Sequence, residues 1–87
     1  MANLILREIT SEEIKNNFEK YYYNHQQFFI KTKNDNDLYI VYLYCVEEWD
    51  EKSEDFIYIY GLESEYNDTS YLLDNKESIE HIYILNK

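Results

Sequence analysis

Carboxylates are the residues of this 87-residue chain whose type and spacing could do chemistry. Glu47, Glu48, Asp50, Glu51, Glu54 and Asp55 fall within nine positions around Trp49, the single tryptophan. A second run holds Glu63, Glu65 and Asp68, with Tyr66 inside it. Two kinds of chemistry could use such clusters. Paired carboxylates divide acid and base roles when a cleft drives their pKa values apart. A chain of this size, with connections of about ten residues, can hardly build such a cleft. The other use is complementarity. Six like charges repel one another in the free protein, yet they match a groove of Lys and Arg in which Trp49 serves as a buried anchor. Alternate side chains of an extended segment stand about 6.6 Å apart on one face, so carboxylates there can imitate the regular charge of a phosphate backbone. The expected partner-binding set is therefore Glu47, Glu48, Trp49, Asp50, Glu51, Glu54, Asp55, Glu63, Glu65, Tyr66 and Asp68, one patch provided both runs lie at the same end of a sheet. The competing expectation is a solvated connection whose tryptophan folds back as a lid on the core.

The other reactive side chains offer less. His25 and His81 have no metal-ligand spacing around them and read as a helix-terminus and a strand residue. Cys45, the single cysteine, lies in the most apolar stretch and reads as an inert core thiol. It allows no intramolecular disulfide, as suits a reducing compartment. The turn Asn34-Asp35-Asn36-Asp37 lacks the glycine and terminal glutamate of a calcium loop. With one glycine, Gly61, a phosphate-cradling loop is excluded. The expectation is a binding protein with no catalytic residue, no metal and no cofactor.

Positioning these groups falls to a small number of elements. Thr10-Ser11-Glu12-Glu13 is a capping box, in which the Thr10 hydroxyl accepts from the Glu13 amide and Glu13 reaches back. Ile9 and Ile14 flank it as a hydrophobic staple. The spacing of Ile14, Phe18 and Tyr21 or Tyr22 predicts a helix over about 11–23. Strands are expected at 4–8, 26–33, 38–46 and 56–60, the second and third joined at the Asn34–Asp37 turn. Residues 78–85 favour a strand through their β-branched content, although Asp74 and Glu77 also form a capping pattern for a C-terminal helix. The expected fold is α+β, a single domain with an antiparallel sheet of four to five strands and one main helix packed on one face. Val41, Leu43, Cys45, Ile57 and Ile59 would meet the helix. Tyr42, Tyr44, Tyr58, Tyr60 and Tyr83 would form the opposite face, either covered by the C-terminal segment or presented as a contact surface through which a homodimer could form.

Charge is segregated along the chain. Residues 1–46 carry six acidic and five basic side chains, whereas residues 47–80 carry twelve acidic and two basic; with Lys87 the total is −10. Such a distribution repels nucleic acid and anionic membrane and steers cationic surfaces inward. No apolar stretch is long enough to span a bilayer, and the expected location is the cytoplasm of a bacterial host. Leu6-Arg7-Glu8-Ile9-Thr10-Ser11-Glu12-Glu13 resembles the first strand and helix of GNAT acetyltransferases, but the glycine-containing cofactor loop of that family is missing. As a whole the chain is similar to small acidic inhibitors carried by phages, anti-CRISPR proteins and DNA mimics, in its size, charge segregation and AT-rich residue usage. That resemblance implies binding to the basic nucleic-acid-binding surface of a defence nuclease, without direct contact to nucleic acid or membrane. Toxin-immunity proteins and antitoxins share the same traits, and imply instead the plugging of a basic toxin active site.

Overall fold

The computed structural model describes residues 5–64 and 69–86. Chain order runs β1 (Ile5–Glu8), α1 (Ser11–Asn16), α2 (Phe18–Tyr23), β2 (Phe28–Thr32), β3 (Leu38–Asp50), β4 (Asp55–Ser64), β5 (Ser70–Leu72) and β6 (Ile79–Asn86). Among the described residues six strands form one antiparallel sheet in the order β1-β6-β2-β3-β4-β5. The expected four to five strands become six, and the single helix becomes two short ones.

The helix breaks at Asn17 for a local reason. The Asn17 side-chain amide donates to the Glu13 carbonyl at 3.0 Å, the acceptor its own backbone N–H would use in a continuous helix. That N–H turns to the Ile14 carbonyl instead, and the chain restarts as α2 with φ −124° at the junction. At the other end of α1, Thr10 caps the Glu13 amide at 3.1 Å as expected. The Glu13 carboxylate is drawn to Arg7 at 3.2 Å, so only half of the reciprocal box forms. Ile9 and Ile14 are both buried, as a staple requires.

One face of the sheet carries the core. Phe28 and Ile30 of β2, Val41 and Leu43 of β3, Leu62 of β4 and Ile82 and Ile84 of β6 are buried there. Ile14, Phe18 and Tyr21 of the helices pack onto them, Tyr21 meeting Phe28 edge-on at 5.5 Å. Loop residues Ile9 and Leu73 close the sides.

The tyrosine surface is divided, contrary to expectation. The register sets Cys45 beside Tyr60 and Leu43 beside Leu62, so Tyr58 and Tyr60 lie on the helix-bearing face. Tyr42 and Tyr44 point the other way, together with Ile57, Ile59 and, across β2 and β6, Phe29 and Tyr83. The parity of β4 is fixed by Leu62, which is fully buried. The C-terminal segment does not cover the second face: β6 is inserted within the sheet between β1 and β2. The Asp74–Glu77 pattern caps no helix; Asn75 Oδ1 accepts from the Glu77 and Ser78 amides and turns the chain into β6.

Candidate functional site

The acidic stretch is strand, not connection. β3 and β4 pair without interruption from Val41 opposite Ser64 to Asp50 opposite Asp55, and only residues 51–54 turn. β2 pairs with β3 only as far as Val41, and β5 with β4 only over Gly61–Glu63. Beyond those points the two strands continue alone as a ribbon. It lengthens the molecule to 52 Å against widths of 29 and 23 Å. The radius of gyration, 14.0 Å, exceeds the roughly 12 Å of a compact chain of this length.

Six carboxylates decorate the end of this arm. Glu47 shares the helix-bearing side with Tyr58, Glu48 and the Asp50–Asp55 pair occupy the reverse side, and Glu51 and Glu54 stand in the turn. Asp50 organises that turn: its carboxylate accepts from the Ser53 hydroxyl at 2.9 Å and from the Lys52 amide at 3.4 Å. Asp55 accepts from the Phe56 amide at 2.8 Å, and Glu54 closes the turn at φ 53°. Among the described residues no ion pair involves a carboxylate of the arm. The cations Arg7, Lys15 and Lys31 are engaged elsewhere, by Glu13, Asp74 and Glu80. The arm therefore keeps its charge unneutralised.

Trp49 is not a lid. It is 55% exposed and stacks edge-on against Phe56, its cross-strand neighbour, at 5.1 Å. Phe56 and Tyr58, which the charge pattern did not bring forward, are exposed to 55% and 59%. The three rings form an aromatic strip along one side of the arm. It runs on through Tyr60 to Phe18 at 4.5 Å, and from Phe18 to Tyr22 at 5.5 Å. Where the arm leaves the helices an open groove of about 740 Å³ lies between them, lined by Glu19, Tyr22, Cys45, Tyr58 and Tyr60 among others. Cys45 is half-exposed in its wall rather than enclosed in the core. Indole and phenol faces beside carboxylates suit one kind of group above others: the guanidinium or ammonium of Arg and Lys, held by cation–π contact and by charge.

Of the second acidic run, Glu63 is not part of this surface. Glu63 pairs with Tyr42 at the opposite end of β4, about 26 Å along the strand from Asp55. Glu65, Tyr66 and Asp68 lie outside the described residues. His25 sits just past α2 at φ 50°, and His81 lies in β6 within reach of Glu8 and Glu80. Among the described residues no three His, Cys, Asp or Glu side chains are grouped to hold a metal ion. Among the described residues no helix is long and apolar enough to cross a membrane. Compared with family models, with curated proteins and with solved structures, the chain finds no match in any of the three.

Proposed function

We propose that this protein is an inhibitor that inserts its acidic β-ribbon arm into the basic nucleic-acid-binding channel of a bacterial defence nuclease, such as a CRISPR effector, and acts without catalysis. The observation that carries the reading is the density of unpaired charge on the arm. From Glu47 to Asp50 the strand advances about 10 Å and the turn adds roughly 4 Å, and over that length the two strands and their turn carry six carboxylates and Lys52, a net −5. This is about one charge per 3 Å, between the 3.4 Å of a single DNA strand and the 1.7 Å of a duplex. Trp49, Phe56 and Tyr58 add an apolar strip at which bases would otherwise stack on the partner. Under this reading the arm occupies the place of nucleic acid.

A narrow ribbon ending in carboxylates also fits the plugging of a basic toxin active site, and the exposed Trp49–Phe56 pair at its tip favours this as the second reading. Competition separates the two. A purified guide-loaded CRISPR effector is titrated with this protein in the presence and absence of target DNA. Mutual exclusion is expected, with cleavage falling as the protein is added. Simultaneous binding of protein and DNA, or no binding to any effector tested beside protection of cells from a neighbouring toxin gene, would overturn the first reading.

A further inference from the structure

The outer edge of β4 is only partly used. β5 accompanies it over Gly61–Glu63, the Leu73 N–H adds one bond to the Tyr60 carbonyl at 3.0 Å, and the chain then turns away through Asn75. Among the described residues no strand pairs with that edge from Phe56 to Ile59. The ladder tells which backbone groups stand there. Ser64 donates outward to the Thr69 carbonyl and Tyr60 accepts from outside, both at 3.0 Å. The groups of an antiparallel strand change sides at every residue, and β3 and β4 pair without a shift of register. The N–H and C=O of Phe56 and Tyr58, and the N–H of Tyr60, therefore face outward too. The Phe56 N–H has already turned to a carboxylate, that of Asp55 at 2.8 Å. Where β5 leaves, an open notch of about 360 Å³ is lined by Tyr58, Ile59, Tyr60, Leu72 and the Lys15–Asp74 ion pair.

We propose that this edge receives an extended, Lys- or Arg-rich segment of the partner, which joins the sheet beside β4 where β5 leaves it. This rests on the reading that the arm meets the partner, and it adds the mode of contact. Backbone bonds to Tyr58 and Tyr60 hold the segment, and its alternate side chains are what the arm selects. Charge names those side chains. Glu47 stands opposite Tyr58 and Glu48 opposite Ile57, on the two faces of the ribbon. An added strand runs about 4.8 Å from β4, and so about 9.6 Å from β3. A Lys or Arg side chain crosses one strand, covering Tyr58 or Ile57 with its methylenes and bringing its head to the carboxylate beyond. Both covered residues have surface to lose, Tyr58 being 59% and Ile57 42% exposed. On the Tyr58 side the cation also meets the ring. Other occupants fit less well. A second copy would lay one net −5 arm along another, nucleic acid would meet the same repulsion, and a neutral strand would leave Glu47 and Glu48 without a counter-charge.

Two synthetic octapeptides of alternating lysine and threonine test this, one plain and one N-methylated at its four central residues. Their charge is the same, but the methyl groups remove the donors and crowd both edges of the strand. At about 0.15 M salt the full chain should bind the plain peptide at least roughly tenfold more tightly, the worth of a few backbone hydrogen bonds. Amide exchange followed by NMR locates the contact. The Tyr58 and Tyr60 N–H groups should exchange fast in the free chain and at least roughly tenfold more slowly with the plain peptide bound. Those of Glu47 and Trp49, which face outward on the opposite edge of the ribbon, should not change. Equal affinity for the two peptides, no binding of the plain one, or protection at Glu47 and Trp49 instead would overturn the proposal. Competition with DNA is judged separately. An effector that excludes DNA, beside equal peptide affinities, would keep the channel reading and remove this one. Preference for the plain peptide, beside no binding to any effector, would do the reverse.

Discussion

At the scale of single residues, the arm and the core give opposite expectations for substitution. Trp49 is 55% exposed and its ring pairs with Phe56, so Trp49→Ala should lower stability by no more than about 1 kcal/mol, the worth of one exposed aromatic pair. The same change should cost about 2 kcal/mol or more in partner binding, roughly thirtyfold in Kd, as loss of a central anchor does. Calorimetric titration beside a thermal melt reads both quantities. Equal losses would return Trp49 to a structural role. Two carboxylates off the arm, Glu80 and Asp35, behave differently from those on it. Lys31 holds the Glu80 carboxyl below its usual value of 4.5, chiefly by hydrogen bond and then by charge. The Tyr39 hydroxyl, ahead of the Asp37 amide, does the same for Asp35. A depressed carboxylate stabilises the fold above its unfolded pKa and loses that contribution as pH falls through its folded one. Glu80→Gln should therefore melt below wild type at pH 7, and the gap should close as the pH drops below about 4. A gap independent of pH would show that charge is not its source. The setting of Trp49 among carboxylates could be read from the sequence. That of Phe56 and Tyr58 could not, because their position on the arm depends on a pairing register that charge does not encode.

At the scale of elements, the short helices depend on their ends more than on their length. Thr10→Ala should cost about 1 kcal/mol, measured by urea unfolding, because six residues cannot hold a helix without the cap and the Ile9–Ile14 staple. A loss near zero would assign the stability of α1 to Ile14 packing alone. Thr10, Glu13 and the two isoleucines were legible as a helix start because every group involved lies within six residues. The break was not, since it turns on which of two donors at Asn17 takes the Glu13 carbonyl. The β4 face was misread for a related reason. Gly61 reads as a strand end, which hides Leu62, the one residue that fixes the strand's parity. The placement of β1 beside β6 joins residues more than seventy positions apart, and no local pattern specifies a contact of that span. The carboxylates also protect the arm itself. Both edges of the ribbon carry unpaired backbone groups for several residues, and like charge discourages pairing with another strand.

At the scale of the whole molecule, a net −5 of the total −10 sits on the arm at one end and makes a long, polarised object. Moving from low salt to about 0.15 M should raise the melting temperature by screening that self-repulsion; a fall would mean that the Arg7, Lys15 and Lys31 ion pairs outweigh it. The measurement that reaches the central claim most directly is partner affinity of wild type and of the quadruple variant Glu47→Lys, Glu48→Lys, Asp50→Lys and Glu51→Lys, each followed across a salt series. Wild-type affinity should fall steeply as salt rises, as it does for nucleic acid on the same channel, and the folded variant should not bind. An arm with reversed charge that still inhibits, or a wild-type affinity indifferent to salt, would contradict the account.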